Sequence, residues 1–146
     1  MRERPKETEF LCFTIEQSCF AIPVRSVVKI TPMMAFSPLE SKSESCLGMV
    51  VLHGRPAHLL DVSSRLGLPP RGIDPGKMII FIEDGGPLVG VIVDDLREII
   101  RVGRANVAEG MSSELISAVV RVEGEMMSIL NPKAITRMVK DGKEPG

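Results

Sequence analysis

Tryptophan and tyrosine are absent from the 146 residues, and the aromatic content is five phenylalanines. Such a chain has few platforms on which nucleobases or sugars stack. An excess of charge of one sign is missing too: 18 Lys and Arg stand against 19 Asp and Glu, a net charge of −1 with a pI of about 6.1. Without a positive field to compete for phosphates, nucleic acid is not expected as the main ligand. Cysteine is scarce, and an odd count of three fits a reducing compartment rather than a disulfide framework. Long apolar runs are lacking as well. Stretches such as Leu47–Leu52 stop at His53, far short of the roughly 20 residues a membrane-spanning helix needs. The N-terminus, Met1-Arg-Glu-Arg-Pro-Lys-Glu-Thr-Glu, has no apolar stretch of the secretory kind. The expected location is therefore the cytoplasm, with no membrane insertion.

What is present is an ordinary globular balance, 44% hydrophobic and 25% charged, in one domain's length. Polar tails are expected at 1–8 and 140–146. Phe10–Ile15 and Cys19–Ile22 around Glu16-Gln-Ser18 read as two strands and a turn. Val24, Val27, Val28 and Ile30 fit either a helical turn or a strand, and Pro32 closes the segment. The run 38–45 is a loop by composition, after which Cys46–Leu52 and Arg55–Leu60 flank His53-Gly54 as a hairpin. Asp61 is placed to cap a short helix that ends at Gly67. The proline- and glycine-dense stretch 68–76 divides the chain into halves. Beyond it, Met78–Ile82 and Leu88–Val93 flank Gly85-Gly86, and Leu115–Val122 and Met126–Leu130 flank Glu123-Gly124.

The last hairpin repeats the one at His53-Gly54. Sliding Gly48–Val62 by 70 residues places Val50 on Val120, Leu52 on Val122, Gly54 on Gly124, Leu60 on Leu130 and Asp61 on Asn131. Asn131-Pro132 is an N-cap followed by proline at the first helical position, and Ile135, Met138 and Val139 form the stripe of a C-terminal helix. Two copies of one strand–turn–strand–cap unit, with short strands and few helices, predict an all-β fold of two small antiparallel barrels or sandwiches side by side, since closing a sheet removes its exposed edges.

Catalytic and metal motifs are thin. Asp61, His58 and Ser63 lie close in sequence, but no Gly-x-Ser-x-Gly elbow accompanies them. Gly85, Gly86 and Gly90 match no phosphate-loop spacing and read as turn and strand glycines. Cys12, Cys19, Cys46, His53 and His58 contain no Cys-x2–4-Cys pair, so structural cysteines are the plainer reading and no metal or cofactor is expected. Asp94, Asp95 and Glu98 lack the alternating oxygens of a calcium loop and are read as a solvated turn. More informative is the outward side of the strands: with Val50 and Leu52 inside, Met49 and Val51 point out. The second copy carries Arg121 where the first carries Val51. An outward apolar residue of this kind marks a surface another protein covers, or an ordinary scattered surface valine.

Taken together, Phe10–Ile15, Gly48–Val62, Val89–Asp94 and Val120–Leu130 resemble the CheW-like chemotaxis coupling proteins, over about residues 9 to 139. The resemblance implies one domain of two intertwined SH3-like five-stranded barrels, about 9–70 and 77–139, with short helices after each second hairpin. It implies no catalysis. It implies an adaptor that couples the regulatory domain of a CheA-type histidine kinase to the cytoplasmic hairpin tip of chemoreceptors. Carried over by position, Gly48, Met49, Val51, His53 and Arg55 would face the kinase. Leu11, Val24, Val27, Lys29 and Ile30 would line the receptor groove. The chain departs from the family's usual residues in having His53 for Arg, Lys29 for Glu and His58 for proline, which implies a divergent partner rather than loss of the fold. An adaptor of the same fold in a pilus-motility or other kinase-linked pathway, and a small-ligand-binding barrel, are the alternative readings.

Overall fold

Runs of β-branched residues form strands, and turn residues break them. In the computed structural model, which describes residues 7–38, 45–69, 72, 74–103, 107–108 and 113–142, the strands are β1 (Glu7–Ile15), β2 (Ser18–Pro23), β3 (Val27–Pro32), β4 (Ser37–Pro38), β5 (Cys46–Leu52) and β6 (Arg55–Leu60). They continue with β7 (Met78–Ile82), β8 (Val89–Val93), β9 (Asp95–Gly103), β10 (Val107–Ala108), β11 (Ile116–Val122) and β12 (Glu125–Leu130), and helix α1 (Pro132–Gly142) ends the fold. The segment the sequence left undecided is both things in turn: a 3₁₀ turn at Val24–Ser26, then β3. Of the expected tails, Glu7 and Thr8 already belong to β1, α1 runs on to Gly142, and 1–6 and 143–146 lie outside the described residues, as do 39–44 of the expected loop.

The strands assemble into two six-stranded sheets: sheet A in the order β10-β11-β12-β2-β1-β9, and sheet B in the order β3-β7-β8-β6-β5-β4. Neither sheet comes from one half of the chain. The proline-rich stretch lies between β6 and β7, both in sheet B, while sheet A combines the N-terminal hairpin with everything after Asp94. Three expectations are corrected here. The sheets have six strands rather than five, and among the described residues no ladder joins the first strand of either sheet to its last, so a closed barrel is not found. Each sheet also contains one parallel pairing, β12 with β2 and β6 with β8. Parallel neighbours need a long connection, here supplied by excursions that build the rest of the fold, and hairpin rules applied to adjacent segments do not detect it.

The repeat seen in the sequence extends to the whole architecture. β5, β6 and their turn map onto β11, β12 and theirs at an offset of 70: His53 and Glu123 have φ of 50° and 52°, and Gly54 and Gly124 both have 81°. Positive φ at both central residues is what a two-residue hairpin of matching twist demands. β1, β2 and β3 map onto β7, β8 and β9 one residue short of that offset, since Cys12 pairs Ala21 as Phe81 pairs Gly90, and Phe13 pairs Leu96 as Ile82 pairs Val27. The chain diverges after equivalent side-chain bonds to the backbone N–H two residues on. The Asp61 carboxylate accepts from the Ser63 N–H at 3.0 Å, but Gly67 at φ 79° stops the chain after one 3₁₀ turn, Ser64–Leu66. The Asn131 side-chain oxygen accepts from the Lys133 N–H at 3.0 Å, and the buried stripe of Ile135, Met138 and Val139 carries α1 onward.

Three apolar clusters hold the fold. Val50, Leu52, Ala57, Leu59, Ile79 and Phe81 fill the inside of sheet B, and Phe10, Cys12, Val120, Met127 and Ile129 fill that of sheet A. Between the sheets lies a third, larger cluster that includes Leu11, Phe13, Leu60, Ile80, Val91 and Ile135. The alternation of the central strands explains the division, one face per cluster. Asp94, read from sequence as part of a solvated turn, is instead a tie between sheets. Its N–H donates to the Thr14 carbonyl at 2.9 Å, its carboxylate accepts from the Glu16 N–H at 2.8 Å, and Lys77 Nζ lies 3.0 Å from it.

Candidate docking surfaces

The β5–β6 hairpin sets the first surface. Val50 and Leu52 enter the sheet B core, so Met49 and Val51 face outward, and the register puts Val51 opposite Pro56 and Met49 opposite His58. Val51 is 65% exposed, the most open large apolar side chain among the described residues, and Pro56 beside it is exposed. Met49 is half-buried between the flanking strands β4 and β6. Gly48 presents no side chain for a partner but has a local reason: a Cβ there would sit 2.3 Å from the Ser37 carbonyl oxygen, so only glycine lets β4 pair so closely. His53 occupies the left-handed turn and is exposed.

Arg55 reaches across to Glu83, with guanidinium-to-carboxylate distances of 2.6 and 3.4 Å. The Glu83 N–H in turn donates to the Ser26 carbonyl at 3.0 Å. The hairpin expected to face the kinase and the segment expected to face the receptor are therefore joined through one residue, which sequence reasoning did not single out. Nothing in local pattern marks Glu83; only the meeting of β7's end with the β5–β6 turn gives it a role.

The second surface lies on the edge strand β3. Val27 and Ile30 pair with Ile82 and Ile80 and lean, half-buried, on the core between the sheets, as Val24 does. Leu11 differs: it is 6% exposed, buried in that core rather than open at the surface. Lys29 is exposed, opposite Phe81. Val28, 45% exposed at a register shift between Val27 and Lys29, is open to a partner although no site was assigned to it. Ile99 and Met126 are likewise exposed on sheet A.

One further polar cluster joins strands of sheet A. Cys19 donates to the Glu125 carboxylate at 2.8 Å, and Arg97 lies 3.0 Å from both. That contact with Glu125 pushes the Cys19 thiol above its ordinary pKa, while Arg97 holds the Glu125 carboxyl below the usual range. Burial pushes Cys12 up to about 11, so neither thiol is a ready nucleophile. Of the three residues weighed together from sequence, Asp61 accepts from both the N–H and the hydroxyl of Ser63, and His58 lies on β6. Among the described residues no three His, Cys, Asp or Glu side chains group to hold a metal, and no helix is long and apolar enough to cross a membrane.

Comparison with known families matches the CheW-like domain model over residues 9–140. The chain belongs to the CheW-like family. Among solved structures, this CheW-like chain is similar to the scaffolding protein TtCheW from Thermoanaerobacter tengcongensis, with a TM-score of 0.79 at 18% identity, over 85% of this chain and 88% of that one. Comparison with curated proteins finds no match. At that identity the likeness to TtCheW establishes the CheW-like fold.

Proposed function

We propose that the chain is a non-catalytic cytoplasmic adaptor that couples a CheA-type histidine kinase to the cytoplasmic tip of chemoreceptors. Family membership supports the coupling role, and one observation gives it a physical basis: Val51 and Pro56 form an open apolar pair on the outward face of sheet B, where the equivalent pair in sheet A is Arg121 and Met126. An apolar pair retained on only one of two matched hairpins is a surface suited to being covered. On this reading the regulatory domain of the kinase covers Gly48, Met49, Val51, His53 and Arg55. The receptor tip lies along Val24, Val27, Lys29 and Ile30 above Leu11.

The test is pull-down of a CheA-type regulatory domain by wild-type and Val51→Asp protein, with circular dichroism as the control for folding. Loss of capture with an unchanged spectrum supports the assignment. Full capture by the folded variant removes it.

A further inference from the structure

Charge on the β3 edge is unbalanced in a way that specifies a partner. Arg25, in the 3₁₀ turn, and Lys29, on β3, are both exposed, and among the described residues neither side chain has an ion pair or hydrogen bond. The carboxylates that share a cavity with Arg25 are already engaged: Glu83 by Arg55 at 2.6 Å, and Asp84 by Lys133 at 3.8 Å. Arg25, Glu83 and Asp84 line one small polar cavity with Ser26, so the count there is open to view. Around that cavity three cations, Arg25, Arg55 and Lys133, meet two carboxylates, and Lys29 follows on β3 opposite Phe81. Matched positions in sheet A show that this is not a general property of the edge strand. Register places Val27 on Leu96 and Ile30 on Ile99, and hence Lys29 on Glu98. The same strand position is cationic on one sheet and anionic on the other.

We infer that the segment Val24–Ile30 recognises an acidic helical face, with carboxylates set beside an apolar stripe. The inference rests on the receptor-groove reading above and narrows it to the charge of the partner. Val24, Val27 and Ile30 supply a shallow apolar floor, with Val28 open beside it, and Arg25 and Lys29 stand four residues apart as the two uncompensated charges. Complementary charge chooses among partners that share the same apolar stripe, and like charge rejects the rest.

Two synthetic helix-forming peptides with the same leucine stripe, one flanked by Glu and one by Lys, test this by fluorescence anisotropy at low salt. The acidic peptide is expected to bind about tenfold more tightly than the basic one. The double variant Arg25→Glu, Lys29→Glu is expected to reverse that order, and Glu98→Lys to leave it unchanged. Equal binding of the two peptides, or a preference that survives the double variant, overturns the inference. So does equal capture of a chemoreceptor tip fragment by wild-type and double-variant protein; if Val51→Asp still loses the kinase domain, the adaptor reading stands while the acidic partner falls.

Discussion

Replacing Val51 by Asp changes one outward side chain and leaves the three clusters intact, so its effects on binding and on folding separate. Burying a valine fully is worth about 1.5–3 kcal/mol. With 65% of Val51 exposed, about two thirds of that, roughly 1–2 kcal/mol, remains for a partner to collect. The aspartate forfeits this and adds the cost of covering a carboxylate with no counter-charge, a few kcal/mol more. A loss of about 3 kcal/mol or more follows, roughly a hundredfold or greater weakening of kinase-domain affinity. Stability should fall by no more than about 1 kcal/mol, since the position is open and only the strand preference changes. Arg121→Asp is the matched control: the same strand position on the other sheet, with no expected effect on that affinity. Calorimetric titration of the regulatory domain into the three proteins reads the affinities, and urea unfolding reads the stabilities. Equal affinity for wild type and Val51→Asp, or equal losses in Val51→Asp and Arg121→Asp, would refute the reasoning.

Other consequences are more local. Gly48→Val would drive a Cβ into the Ser37 carbonyl and part β4 from β5, and should cost about 1–3 kcal/mol in urea unfolding. Leu60→Ala opens the core between the sheets at a residue 1% exposed and should cost about 2–5 kcal/mol by the same measurement. Cys12, 0% exposed with its pKa pushed up to about 11, should resist a thiol reagent at pH 8 until the protein is unfolded. Arg97 lowers the Glu125 pKa in the folded state, so the stabilisation from their pairing is present above the unfolded carboxyl's pKa and lost as pH falls through the folded one. Melting temperature should therefore drop less steeply for Glu125→Gln than for wild type on acidification below pH 4.5, the ordinary value for the group.

Local pattern carried much of this fold. The His53-Gly54 and Glu123-Gly124 turns, the Asp61 bond to the Ser63 N–H, the Asn131 cap and the α1 stripe each depend on neighbours within a few residues, and each is legible in the sequence. The parallel contacts of Phe20 with Ser128 and of Val89 with His58 are not, because partners far apart in the chain leave no periodic trace. For the same reason the way each sheet draws strands from both sides of the prolines leaves no local mark. Alternation along β5 made Val51's outward direction readable, but Leu11, also on a strand, proved to be core, since the face it takes is covered by the second sheet. Glu83 and Val28 were invisible: one gains its role through a long-range ion pair, the other through a register shift that turns a valine to solvent.

The central claim is that one molecule holds kinase and receptor together by two surfaces. Sedimentation of a chemoreceptor tip fragment assembled on beads, with the kinase regulatory domain free in solution, tests it directly. The kinase domain should pellet only when this protein is added, and should stay in the supernatant when either Val51→Asp or Val27→Glu protein is added instead. Pelleting that does not depend on the protein, or that survives both substitutions, would contradict the account.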